Sequence, residues 1–417
     1  MFIFHSKSRS ACSERTCRVN SVIRGGGRIL CFVLCAAILL CLSVSAEQET
    51  AVPWSSQSGV SIPTPPEAPA CKSAVLMEAS TGKILYEMNP AEAMPPASVT
   101  KIMTLLLVME AIERGALSWE DTVRTSAHAA SMGGSQIFLK EGEEMSVEDM
   151  VKSVVIASAN DAACALAEFV SGSEEAFVKA MNDRAAELGM KNTSFENTNG
   201  LDDTAKNHVT SARDIALMSA ELIKHETILK YSSIWMDTVR NGEFGLTNTN
   251  RLVRFYRGCT GLKTGSTSKA GFCISATAER DGMHLVCVIM GAETRDVRNA
   301  EAQKLLDWGF ANYGVFEHAP GVLEPMRVLG GVEDNVKIAY EPFSLVVEKG
   351  RGGKIQYKTE LPESISAPIN KGDKVGEVIF TLDGKEIGRR DICATEGVER
   401  LGFFGIWWRM LGKFLLK

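Results

Sequence analysis

Residues 95–110 read Pro-Pro-Ala-Ser-Val-Thr-Lys-Ile-Met-Thr-Leu-Leu-Leu-Val-Met-Glu. From Ser98 onward the run is apolar on nearly every side, the pattern of a helix buried all round. Such a helix needs other layers to cover it. Upstream, residues 73–78 and 83–86 flank Ala79-Ser80-Thr81-Gly82 and read as a hairpin. Downstream, helical periodicity runs through residues 147–170, 174–188 and 211–229. Strand chemistry returns at 260–266, 271–278 and 285–290, with Asp281-Gly282 as a hairpin turn, and a helix follows over 300–310. Two strands, a helical block, three strands and a helix predict an antiparallel sheet packed with helices. The fold class is therefore α+β, in a domain over residues 71–315.

The rest of the chain changes texture. Short alternating segments at 336–340, 344–347 and 375–381, separated by Gly, Pro and Asn, predict a small all-β domain over residues 316–397. Residues 398–417 predict an amphipathic helix. Arg409, Lys413 and Lys417 form one edge, opposite an arc of Phe403, Phe404, Trp407, Trp408, Leu411, Phe414 and Leu415. Such a helix suits the surface of an anionic membrane and is too short and charged to cross one. At the other end, a basic region precedes an apolar run from Ile29 to Leu42 and the small residues Ser43-Val44-Ser45-Ala46. This is the pattern of a secretory signal peptide over residues 1–46, and it implies export. Residues 47–70, with five prolines, read as a tether.

The chain has 417 residues, 45% of them hydrophobic, and a formal net charge of −6. Removing the first 46 residues takes away six basic and one acidic side chain, leaving 39 basic against 50 acidic groups, a net charge of −11. An acidic chain without a basic stripe is no nucleic-acid binder held by phosphate contacts. Five of the 11 cysteines leave with the signal peptide. Cys71, Cys164, Cys259, Cys273, Cys287 and Cys393 remain, with no CxxC pair or Cys/His cluster, so no zinc site is expected. Free thiols are expected over disulfides, with Cys259, Cys273 and Cys287 on neighbouring strands.

Ser98 and Lys101 stand three apart, on one helix face and one turn from each other. The helix N-terminus favours developing negative charge at the serine by roughly 0.3–1 kcal/mol. Lys101 sits among Ile102, Met103, Leu105 and Leu106. Burial lowers a lysine pKa and leaves a neutral amine able to take the Ser98 proton. Ser-x-x-Lys alone is weak, since chance supplies it about once or twice in a chain of this length. Further on come Ser158-Ala159-Asn160, followed by Asp161, and then Lys263-Thr264-Gly265 at the head of the later strands. The latter arises by chance in about one such chain in ten. Singly, each has a plainer reading: Ser158 and Asn160 as a helix cap, Lys263 as a solvated charge, Thr264-Gly265 as a turn, Arg298 as a surface cation. Their order and contexts together make a strong signal.

These motifs are the set found in penicillin-binding proteins and serine β-lactamases. The chain resembles the low-molecular-mass penicillin-binding proteins, the serine D-alanyl-D-alanine carboxypeptidases. Pro95-Pro96-Ala97-Ser98, Gly133-Gly134-Ser135, Asn199-Gly200-Leu201-Asp202 and Leu305-Leu306-Asp307-Trp308-Gly309-Phe310 carry the likeness, and Ala367-Pro368-Ile369-Asn370-Lys371-Gly372 resembles the family's C-terminal accessory domain. The likeness covers residues 71–417 and is nearest to the sporulation-type enzymes of Gram-positive bacteria. It implies a β-lactamase/transpeptidase-like domain that removes the terminal D-alanine from peptidoglycan stem pentapeptides, limits cross-linking and is acylated by β-lactams, with no cofactor and no metal. It also implies that Ser98 forms the acyl-enzyme while Lys101 takes its proton. Ser158 would relay that proton to the leaving D-alanine, and Asn160 would hold the substrate amide. The backbone N–H groups of Ser98 and Ser266 would form the oxyanion hole. Lys263 and Thr264, beside Gly265, would face the terminal carboxylate, with Arg298 as second cation and Arg295 its competitor. His208 is read as structural, because a Ser/Lys pair needs no imidazole.

Two rival readings remain. A class A-like β-lactamase would need a glutamate to activate its deacylating water, and none stands out. A non-catalytic penicillin sensor would not need the intact Ser98, Lys101, Ser158 and Lys263. An α/β-hydrolase is excluded because the chain lacks GxSxG.

Overall fold

The computed structural model describes residues 63–415 apart from 65, 203, 204 and 322. The signal peptide expected over residues 1–46 and most of the tether lie outside the described residues. Strands β1 (Ser73–Glu78), β2 (Ile84–Met88), β3 (Cys259–Thr267), β4 (Gly271–Arg280) and β5 (Met283–Ala292) form one antiparallel sheet in the order β2-β1-β5-β4-β3. The β4–β5 turn has φ +51° at Asp281 and +75° at Gly282, the left-handed pair that a two-residue hairpin requires.

Both faces of this sheet are covered, so its central strands read as apolar runs without alternation. Val75, Met77, Val286, Val288 and Met290 face the helical block. Ala74, Leu76, Leu285, Cys287 and Ile289 face the helix Arg295–Asn312, through Leu305, Leu306 and Phe310. The helical block contains α1 (Lys101–Glu113), α2 (Val147–Ile156), α3 (Asn160–Ser171), α4 (Glu174–Glu187), α5 (Ala212–Leu222) and α6 (Glu226–Ser232); Arg295–Asn312 is α7. Helix α1 buries ten of its 13 residues, as its apolar run predicts.

Two expected helices are interrupted. The stretch 147–170 breaks at Ala157-Ser158-Ala159, where Ser158 has φ +62°, and the stretch 211–229 breaks between Leu222 and Glu226. Apolar spacing carries across both breaks because the flanking helices bury the same core, and no Gly or Pro marks either one. The helix expected from Ser98 begins with a 3₁₀ turn, Ala97–Thr100, before α1 starts at Lys101.

From the end of α7, strand β6 (Tyr313–His318) crosses the boundary expected at residue 315 and pairs with β7 (Phe343–Glu348). Beyond it, β8 (Ile355–Glu360), β9 (Lys374–Leu382) and β10 (Lys385–Ala394) form the main sheet of the accessory domain, around Val336, Val378, Phe380 and Ile392. Helix α8 (Phe403–Leu415) ends the described chain. Cys259, Cys273 and Cys287 lie on the adjacent strands β3, β4 and β5, and all six cysteines among the described residues are free thiols.

Candidate active site

Ser98 occupies the 3₁₀ turn ahead of α1, half-buried, directly after Ala97 with φ +49°. Lys101, fully buried, places Nζ 3.0 Å from Ser98 Oγ, 2.5 Å from Asn160 Oδ1 and 2.9 Å from the Asn199 carbonyl. Burial drives its pKa well down, helped by the charge of Lys263; Asp161 opposes the shift. A neutral amine has two N–H donors and one lone pair. Asn160 Oδ1 and the Asn199 carbonyl take the donors, so the lone pair is left for the Ser98 hydroxyl. The Asn160 orientation is set by its own Nδ2, which donates to the Gly133 carbonyl at 2.6 Å.

The break between α2 and α3 presents the second motif. The N-cap of α3 is Ala159, and no side chain caps the helix, so Ser158 and Asn160 do not serve as caps. The left-handed Ser158 is 5% exposed and accepts a 2.8 Å hydrogen bond from Lys263 Nζ. The Asn160 N–H donates to the Ser135 carbonyl at 2.7 Å. A Cβ at Gly134 would stand 2.8 Å from Asn160 Nδ2, which accounts for a glycine there. Asp161 ties down the same loop through the N–H groups of Ile137 and Leu139.

The third motif lies in the interior of β3, not in a turn. Lys263 is buried, donates also to the Thr264 carbonyl at 3.1 Å, and has its pKa pushed down to about 7 by burial and the charge of Arg298. It is not the solvated charge that its type alone suggests. A Cβ on Gly265 would meet the Ser98 nitrogen at 2.8 Å and the Pro96 oxygen at 2.9 Å, so only glycine lets β3 pass this close to the Ser98 turn. Ser98, Ser158, Thr264, Gly265 and Ser266 border one cleft of about 330 Å³. Arg298 lies in its wall, 3% exposed and far from a surface cation, held by Asn299 Oδ1 with a longer 3.5 Å bond to the Cys273 carbonyl. Burial and the neighbouring Arg295 lower its pKa to about 10. Arg295 and Arg251 border the cleft as well, and no carboxylate does among the described residues.

A family model described as D-alanyl-D-alanine carboxypeptidase matches residues 60–294, and one described as Penicillin-binding protein 5, C-terminal domain, matches residues 321–400. The chain belongs to the D-alanyl-D-alanine carboxypeptidase family. It is 44% identical over 349 residues to the D-alanyl-D-alanine carboxypeptidase DacF of Bacillus subtilis, covering 82% of this chain and 89% of the relative. The crystal structure of penicillin binding protein 5 from Haemophilus influenzae matches with a TM-score of 0.72 at 34% identity, over 82% of this chain and 100% of that one. Penicillin-Binding Protein D2 from Listeria monocytogenes, in its ampicillin-bound form, matches with a TM-score of 0.55 at 33% identity, over 59% of this chain and 100% of that one.

In this carboxypeptidase every candidate site residue named from the sequence lies at or beside one cleft: Ser98, Lys101, Ser158, Asn160, Lys263, Thr264, Gly265, Ser266 and Arg298. Sequence reasoning missed Arg251, the Asn199 carbonyl on Lys101 and Thr249, whose hydroxyl accepts from Thr264 Oγ1 at 2.9 Å. Asn199-Gly200 was visible as a motif, but its contact with the lysine is made through the backbone, which no residue type announces.

Proposed function

We propose that Ser98 is the nucleophile of this serine D-alanyl-D-alanine carboxypeptidase and Lys101 its general base. The observation that carries this is the buried lysine amine, with two fixed acceptors and its third bonding direction on Ser98 Oγ. Attack on the carbonyl between the two D-alanines forms the ester at Ser98, with the hydroxyl proton passing to Lys101. Ser158, hydrogen-bonded to Lys263, relays the proton taken up by Lys101 to the leaving amine, and water then hydrolyses the ester. The N–H groups of Ser98 and Ser266 receive the developing oxyanion, where one such donor is worth about 10²–10³ in rate. Asn160 holds the substrate amide, while Lys263, Thr264 and Arg298, with Arg295 and Arg251 nearby, receive the terminal carboxylate. β-Lactams acylate the same serine. The absence of a carboxylate from the described cleft lining favours this reading over a β-lactamase.

Export and attachment to the outer face of the membrane through α8 complete the proposal. Among the described residues no helix is long and apolar enough to cross a membrane. Phe403, Phe404 and Trp408 on α8 are exposed, which suits a helix lying in the interface. Arg409 does not belong to a free basic edge: it donates to the carbonyls of Gly331 and Val332 and pairs with Asp334 at 3.0 Å. The Lys413 and Lys417 side chains lie outside the described ones.

The test is D-alanine release from a pentapeptide ending in D-Ala-D-Ala, with mature protein beside Ser98→Ala. Loss of release in the variant, and loss of a penicilloyl adduct by intact mass, supports the assignment. A stable adduct on Ser98 without any release points to a sensor, and rapid turnover of that adduct points to a β-lactamase.

A further inference from the structure

Ala97, immediately before the nucleophile, is buried at φ +49°, a left-handed conformation that is strained for an L residue. Its carbonyl and the Ser98 N–H are the two ends of one planar peptide unit. Whatever holds the Ala97 oxygen therefore also aims the Ser98 N–H.

That oxygen accepts the Thr100 hydroxyl at 2.8 Å. Thr100 Oγ1 lies 2.7 Å from His208 Nε2, and His208 Nδ1 lies 3.0 Å from the backbone nitrogen of Glu196. A backbone N–H only donates, so Nδ1 is the acceptor and carries no proton. The neutral ring then has its proton on Nε2 and donates it to Thr100 Oγ1, which leaves the hydroxyl proton for Ala97. The amide at the far end thus sets the direction of every bond in the chain. His208 is 7% exposed and packs edge-on against Phe195, and burial lowers its pKa to about 4, which keeps the ring neutral at ordinary pH. Gly200 closes the other side of the Ala97 oxygen. At φ +85° it comes so near that a Cβ would stand 1.9 Å from that oxygen and 2.8 Å from Thr100 Oγ1.

We propose that His208 and Thr100 are positioning residues of the oxyanion hole, acting through the Ala97–Ser98 peptide to aim the Ser98 N–H. This rests on Ser98 being the acylated nucleophile. Neither side chain needs to touch substrate. The N–H they aim matters most when charge develops on the scissile oxygen, so its misalignment slows chemistry and spares ground-state binding.

The experiment compares full-length wild type with Thr100→Val, Thr100→Ser, His208→Leu and His208→Gln. Glutamine retains one acceptor and one donor group for the two ends of the relay. Three quantities are read: kcat and KM for D-alanine release, thermal stability, and the ester carbonyl stretch of a ¹³C-labelled penicilloyl-enzyme by difference infrared. Thr100→Val and His208→Leu are expected to lower kcat about 10–100-fold, part of the value of one oxyanion donor. Their KM should stay within about twofold, and the carbonyl band should move to higher wavenumber. Thr100→Ser and His208→Gln should recover most of kcat and return the band toward its wild-type position. An unmoved band in a Val variant that still forms the adduct overturns the proposal, and so does a parallel change of kcat and KM. So does a Thr100→Ser variant as slow as Thr100→Val. Failure of wild type to form any adduct on Ser98 overturns the nucleophile assignment along with it, and intact mass tells the two failures apart.

Discussion

In the cleft, Lys101 and Lys263 are 0% and 1% exposed with no carboxylate partner among the described residues, whereas on the accessory sheet Lys374 and Arg389 lie in solvent among acids. Lys374 pairs with Glu377 and with Asp391, and Arg389 with Glu377 and Glu386. The consequences run in opposite directions. Burial, reinforced by neighbouring positive charge, lowers both cleft lysines, while hydrogen bonds to carboxylates raise Lys374 and Arg389. An exposed pair on the sheet is screened by water and contributes little. A cation in the cleft is poorly solvated and unneutralised, so it gives up its proton or awaits an anion from substrate. On the proposed reading, one residue type thus becomes a base in one region and a solubilising charge in the other, and only surroundings separate them.

The largest test of that contrast is Lys101→Ala. Removing the base should cut the acylation rate by about 10²–10⁴, with the KM for peptide far less affected. Equal losses in binding and acylation, measured by stopped-flow with a chromogenic β-lactam, would refute its role as base. Deleting residues 401–417 should act only on the other region, abolishing binding to anionic vesicles while D-alanine release stays at its full rate. Retained co-sedimentation of the truncated protein would sink the anchor. A smaller effect is expected from pH. With a pKa of about 7, Lys263 is charged below that value and neutral above it. The KM for a carboxylate-terminated peptide should therefore rise several-fold above neutrality. Lys263→Arg, which keeps its charge, should flatten this rise, and an unchanged KM profile would remove Lys263 from carboxylate recognition. Independently, kcat should fall on the acid side as Lys101 becomes protonated. The smallest effect is expected from Lys374→Ala, which should leave release kinetics and the melting temperature within experimental error. A large loss there would show that the accessory sheet's ion pairs matter more than exposed pairs ordinarily do.

His208 extends the pH argument to stability. Its folded pKa of about 4 lies below the unfolded value of about 6.5. The folded state resists protonation there, so this contribution is complete above pH 6.5 and is lost as pH falls toward 4. The slope of stability against pH in that window should be shallower in His208→Gln than in wild type.

Much of the fold was legible because it depends on local pattern. The hairpin at 73–88, the left-handed turn at Asp281-Gly282 and the buried α1 follow from apolar runs and turn chemistry. The breaks at Ser158 and after Leu222 were not legible, since tertiary packing imposes them on stretches whose apolar spacing stays helical. In the site, the motif side chains were readable by type and order, whereas Arg251, Thr249 and the Asn199 carbonyl were not. Arg409 shows the same limit from the other end. Its position on the helical wheel assigned it to lipid, and the carbonyls of Gly331 and Val332 claimed it instead.

By itself the sequence determined which chemical groups are available and in what order: a serine and a lysine one helical turn apart, a second serine, and a lysine on a strand. It determined the layers too, because helix and strand periods are properties of neighbouring residues. Tertiary structure alone decided that Lys101 meets Asn160 and Asn199, 59 and 98 positions away, and that Thr100 meets His208, 108 positions away. The physical reason is that acceptor geometry and desolvation are set by whatever packs around a group. Here those neighbours come from distant parts of the chain, so the proton each group holds was settled only by folding.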